Sequence, residues 1–180
     1  MMKDLFKTVN SEWVAPSEYP DLSTHDKVAI DLETCDTELI KEGPGWPIKR
    51  GKVIGIAVSS NGFTGYYPID HDGGGNMDKK TVLKYIKSLC ENENLAKVFH
   101  NAQYDMVATA LINENRYAYS LNSIVFDYLG ERKNETKLRE AADAFGVDAK
   151  SEMYKLPAQF VGEYAEADAR LTLKLHEKLS

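Results

Sequence analysis

Hydrophobic alternation sets in at residue 27. In "KVAIDLE", Val28, Ile30 and Leu32 alternate with Ala29, Asp31 and Glu33, which predicts a half-buried β-strand over 27–33 with both carboxylates on one face. "KVIGIAVSS" and "FTGYYPI" carry the same β-rich pattern on either side of Asn61-Gly62, a strong hairpin signal. The first three strands thus read as an antiparallel meander. Before them, residues 1–26, with Pro16 and Pro20, read as an irregular lead-in; "DTELIKEGPGWPIKRG" (36–51) reads as a loop.

After the hairpin the period changes. "HDGGGN" (71–76) is a second loop, and Asp78 is placed to cap a helix carrying Val82, Leu83, Ile86 and Leu89. "LAKVFHN" reads as a short buried strand, and a helix between two strands implies a crossover that returns it parallel to the sheet. The rest is helical: "YDMVATALINEN", "LNSIVFDYLG", "ETKLREAADAFG" and "GEYAEADARLTLKLHEKL". The fold class is α/β, a mixed sheet of an antiparallel meander plus a parallel strand, flanked by helices, in one domain over 27–180.

Composition changes this picture little. At 180 residues, 43% hydrophobic and 28% charged, the chain has the make-up of a soluble single domain. No apolar run has the length of a membrane span, and the N-terminus lacks the layout of a signal peptide, so a cytoplasmic protein with no membrane partner is expected. Cys35 and Cys90 stand alone, which argues against a disulfide framework or a zinc site. The net charge of −6 argues against binding through a broad basic patch, but not against a nucleic-acid enzyme that meets phosphates through divalent cations.

Four acids stand out against this background. In the last helix Tyr164, Asp168, Leu171 and Leu175 share one stripe, so Asp168 points the same way as the core leucines. The plain alternative is an aspartate tilted to solvent or paired with Arg170 or Lys174. In "HNAQYD" (100–105), Asp105 follows the predicted buried strand, near His100, Asn101 and Gln103, at the strand end where α/β sheets place their sites. Asp31, Glu33, Asp105 and Asp168 have no evident cationic partner in the sequence, and hard divalent ions, Mg²⁺ or Mn²⁺, would supply the missing charge.

With these residues in place the chain resembles the proofreading 3′–5′ exonuclease domain of family A DNA polymerases, within the DEDD exonuclease superfamily. The first motif is Asp31-Leu32-Glu33, the second is "NAQYD" ending at Asp105, and the third is Tyr164 to Asp168, whose tyrosine marks the tyrosine subgroup. "YSLNSIVFDYLGE" and "MYKLPAQFVGEYAEADA" look like the versions found in bacteriophage polymerases. The resemblance implies a ribonuclease H-like sheet and two metal ions. Asp31, Glu33 and Asp168 would hold one, and Asp31 with Asp105 the other, roughly 3.5–4 Å away across the scissile phosphate. It further implies that Tyr164 and Glu33 orient the attacking water, and that the substrate is a single-stranded DNA 3′ end shortened one nucleoside monophosphate at a time. Thr34 and Asn101 are candidates for contacts to the terminal nucleotide, and His71 is a further candidate beside its alternative as a surface loop residue.

The match departs from the family after Asp105, where a helix, a loop and a strand are normally found before the helix that here reads "MVATALINENR". Alternatives therefore stay open: an inactive exonuclease-like module that binds single strands or a polymerase, or an exoribonuclease. The expected partners are single-stranded DNA 3′ ends and a DNA polymerase subunit or domain. If the chain is phage-encoded, its expected location is the host cytoplasm.

Overall fold

The computed structural model describes residues 9–36, 51–99 and 120–180. Its described strands are β1 (Lys27–Cys35), β2 (Lys52–Ser60), β3 (Phe63–Pro68) and β4 (Ala96–Phe99), and its helices are α1 (Lys79–Glu91), α2 (Leu121–Leu129), α3 (Thr136–Phe145) and α4 (Gly162–Leu179). Short 3₁₀ turns at Met153–Lys155 and Ala158–Phe160 lead into α4. The strands form one sheet in the order β3-β2-β1-β4. β1 to β3 are antiparallel neighbours, and β4 runs parallel to β1. The predicted meander and crossover strand are therefore both present.

Local chemistry accounts for the elements. Gly62 closes the β2–β3 hairpin at φ 79, a left-handed conformation that glycine adopts without a Cβ penalty. Asp78 accepts the backbone N–H of Thr81 at 2.9 Å and caps α1 as predicted. Ser120 does the same for α2 through Ser123. Gly130 and Gly146 end α2 and α3 in left-handed caps.

β1 is buried on both faces, which corrects the half-buried expectation. One face packs Val28 and Ile30 with Ile56, Val58 and Tyr67 against Val82 and Leu89 of α1 and against Leu22. On the other face Ala57 and Tyr66 meet Ala165 and Ala169 of α4. Small residues at 162, 165 and 169 let α4 lie close across β1, β2 and β3. Leu171 and Leu175 turn from the sheet toward Leu121, Ile124 and Val125 of α2. The reason for the correction is this second covering layer, contributed by residues more than a hundred positions from β1.

Two further expectations change. β4 is not buried: Phe99 is 49% exposed, because the strand lies at the end of the described sheet. Leu83 faces outward on α1, leaving Val82 and Leu89 as the residues of that helix buried in the core. Residues 9–26 form no helix or strand, as expected, yet they are not loose. The Trp13 ring lies on Gly162, where an added Cβ would come within 2.0 Å of it, and its Nε1 donates to Glu166 Oε1 at 3.0 Å. The shortened segment after Asp105 lies outside the described residues.

Candidate metal centre

The register of the sheet builds one side of the site. Asp31 sits opposite Ala57, and Glu33 opposite Gly55; the cross-strand neighbours are small, and the place a side chain at Gly55 would take is filled by the Tyr66 phenol. Between Glu33 and Thr34 the register shifts, a bulge of the kind that re-aims side chains at the edge of a site. From the other side comes Asp168, in the middle of α4, on the boundary between the sheet-facing alanines and the leucines that meet α2.

Asp31, Glu33 and Asp168 converge: each offers a carboxylate oxygen, and these lie within 4.8 Å of one another. Asp31 is 8% exposed and Asp168 7%. Desolvation, then the charges of Asp31 and Asp168, hold the Glu33 carboxyl well above the usual carboxylate range, with Lys133 opposing them. The donor set is oxygen only. Opposed oxygens around Mg²⁺ stand about 4.2 Å apart, so this grouping fits a small hard divalent cation.

The cation already at the site is Lys133, which sequence reasoning missed. Its Nζ lies 2.6 Å from both carboxylate oxygens of Asp168 and 3.1 Å from the Tyr164 hydroxyl, and it stands 4.3 Å from the centre of the Tyr164 ring. The side chain is 8% exposed. It arrives from the connection between α2 and α3, 35 residues before Asp168, where no helical or strand spacing announces it. The expectation that the acids lack a cationic partner is thus corrected for Asp168. Lys174, a partner considered for it, contacts Glu131 at 2.8 Å.

Tyr164 stands one turn before Asp168, as predicted. Burial foremost, then the charges of Glu33 and Asp168, drive its hydroxyl pKa upward, so it serves as a neutral hydrogen-bonding group. Thr34 follows Glu33 on β1, partly exposed. Asp105, His100, Asn101 and Gln103 lie outside the described residues.

His71 is neither on the surface nor open to a ligand. It is 3% exposed. Its Nδ1 donates to the Leu156 carbonyl at 3.0 Å, and because a carbonyl can only accept, Nε2 is the acceptor for the Tyr66 hydroxyl at 2.7 Å. Asn76 closes the loop around it with reciprocal bonds to its backbone N–H and C=O. Gly73 serves packing, since a Cβ there would strike the backbone at Pro157, while Gly74 and Gly75 supply left-handed backbone at φ 87 and 79. Tyr66, the partner of His71, lies over Gly55, where an added Cβ would approach its oxygen to 2.0 Å. That places the phenol on the side of the sheet where Asp31 and Glu33 raise its pKa further than burial alone.

This geometry has a pH signature. Burial pushes the His71 pKa down to about 4. The folded state therefore binds fewer protons than the unfolded one between pH 6.5 and 4, and stability falls as pH drops through that window. The drop from 6.5 to about 4 corresponds to roughly 3 kcal/mol. Urea unfolding of wild type and His71→Gln should give the wild type the steeper acid loss, with the two curves converging near pH 4; parallel curves would refute the assignment.

Comparisons with known proteins follow the same line. The chain is 37% identical over 195 aligned residues to a DNA-directed DNA polymerase of Pseudomonas phage M6, covering 95% of this chain and 29% of the relative. It is 28% identical to DNA polymerase DpoZ of Salmonella phage PMBT28, covering 87% of this chain and 27% of that protein. DNA polymerase I of Pseudomonas aeruginosa matches at 23% identity, with 88% of this chain and 18% of the relative covered. The chain thus spans under a third of the length of these polymerases. A solved structure described as "apo form of the nuclease" superposes with a TM-score of 0.53 at 16% identity, covering 84% of this chain and 70% of that one. No protein-family model matches the chain.

The fold is α/β and consistent with the ribonuclease H-like class, and a nuclease shares it. The chain is similar over most of its length to one part of phage and bacterial DNA polymerases, which supports the resemblance of its motifs to the 3′–5′ exonuclease domain of family A DNA polymerases. Among the described residues no helix is long and apolar enough to cross a membrane.

Proposed function

We propose that this chain is a metal-dependent 3′–5′ exonuclease that removes nucleoside monophosphates from single-stranded DNA 3′ ends, in the service of proofreading during DNA replication. One observation carries the reading: the carboxylates of Asp31, Glu33 and Asp168 meet within 4.8 Å at the interface of β1 and α4. Charge of that density serves stability poorly and suits divalent cations well. When bound, such ions supply Lewis-acid stabilisation of the phosphate and a water of lowered pKa.

The chain's own groups do the rest. Asp31, Glu33 and Asp168 would hold one cation, and Asp31 with Asp105 the second. Tyr164, kept protonated by its surroundings, and Glu33 orient the attacking water. Thr34 and Asn101 are proposed to contact the terminal nucleotide. A polymerase partner or neighbouring polymerase domain would deliver the 3′ end, and the setting would be cytoplasmic, as for phage and bacterial replication enzymes.

A second reading has its own observation in favour. Lys133 neutralises Asp168 without any metal, which suits a non-catalytic module that binds single strands or braces a polymerase. Digestion of a 5′-labelled DNA oligonucleotide in Mg²⁺ or Mn²⁺, with EDTA as control and an RNA of the same sequence alongside, separates the alternatives. A ladder shortening from the 3′ end of DNA, absent in EDTA, is expected. No ladder from folded protein would leave the non-catalytic module, and faster loss of the RNA would make the enzyme an exoribonuclease.

A further inference from the structure

Lys133 presents a problem of space as well as charge. Its ammonium sits 2.6 Å from each oxygen of Asp168. An ion ligated by the same carboxylate would stand about 2.1 Å from one of those oxygens, which brings a divalent and a monovalent cation within a few ångström of each other in a partly desolvated site. Repulsion at that distance is strong, and water screens it poorly there. The cage therefore holds Lys133 on Asp168 or a metal ion on Asp168.

We propose that Lys133 is a displaceable internal counter-ion: it closes the carboxylate cage in the metal-free protein, competes directly with the metal for Asp168, and swings out when the metal loads. The inference rests on the metal-centre reading above and adds to it a residue that sets metal affinity. Its placement suits the task. The lysine belongs to the irregular connection between α2 and α3, where its backbone N–H donates to Asn122 Oδ1 of α2 at 3.1 Å. Its contacts at the site are the Asp168 carboxylate, the Tyr164 hydroxyl and, at 4.3 Å, the Tyr164 ring, and the ammonium can exchange them for water and phosphate. In the metal-free state it offsets part of the repulsion among Asp31, Glu33 and Asp168, as its lowering effect on the Glu33 pKa records.

Two measurements test the proposal without reference to catalysis. The first is amine acylation of the wild-type chain with a small reagent, read by peptide mass spectrometry. Lys133, 8% exposed, should be protected in EDTA and become about tenfold or more reactive in Mn²⁺, an opening equilibrium shifted by metal binding. Lys87, 69% exposed, should react equally in both. The second is Mn²⁺ affinity of Lys133→Met by electron paramagnetic resonance. Removing the competitor should tighten binding by about tenfold, the scale of one lost ion-pair competition.

Continued protection of Lys133 in saturating Mn²⁺ would overturn the proposal, as would an affinity unchanged or weakened in Lys133→Met. Should that variant not fold, the acylation result on wild type decides alone. Failure of the underlying reading has a different signature: neither protein would then bind Mn²⁺, and both the metal centre and the competitor would be withdrawn.

Discussion

Asp168→Asn is expected to slow metal-dependent shortening of a labelled single strand by about three orders of magnitude or more, because it removes a charged ligand from a site where electrostatic stabilisation carries the chemistry. Asparagine is the informative choice. It preserves the volume of a side chain that is 7% exposed and keeps one of the two oxygens that the Lys133 ammonium approaches. Asp168→Ala instead leaves a buried lysine with one fewer acceptor, a change of the kind that costs about 3–5 kcal/mol. The two variants therefore divide chemistry from stability. Initial rates and melting temperatures measured together should place Asp168→Asn far below wild type in rate and between wild type and Asp168→Ala in stability, with Asp168→Ala low in both. An asparagine variant within tenfold of the wild-type rate would remove Asp168 from the reacting centre.

How much of this site could be read from the sequence depends on the range of the interaction. Asp31 and Glu33 were legible because alternation fixes which side chains share a strand face, and the strand runs as expected over Lys27–Cys35. Asp168 was legible because helical spacing aligned it with Leu171 and Leu175, both buried. Lys133 was not, since a side chain from an irregular connection obeys no period. Its presence in the cage follows from how α2 and α3 pack, a tertiary fact. His71 misled for a related reason: a histidine beside three glycines reads as a surface loop, but the 153–158 segment takes one ring nitrogen through the Leu156 carbonyl and Tyr66 of β3 takes the other. Burial of β1 on both faces likewise depended on α4, contributed from the far end of the chain.

Glu33 yields the last prediction, and its sign is opposite to that of His71. Its carboxyl is held well above the value of 4.5, so the folded metal-free protein binds more protons than the unfolded chain. Its contribution to stability is fully present below about pH 4.5 and is lost as pH rises through the folded-state pKa. A divalent ion requires the deprotonated carboxylate, so metal affinity climbs over the same range as the metal-free state weakens. At an excess of about a thousandfold over the dissociation constant, bound metal adds roughly 4 kcal/mol, and for a chain of this size that is about 10 °C in melting temperature. The Mn²⁺-induced rise in Tm is accordingly expected to be small at pH 5, to grow toward pH 8, and to vanish in EDTA. Glu33→Gln should flatten the decline of the metal-free protein with pH while cutting the Mn²⁺ increment, because the amide neither titrates nor supplies ligand charge. An increment independent of pH in the wild type would mean that Glu33 does not exchange its proton for the metal, and the carboxylate pair on β1 would need another explanation.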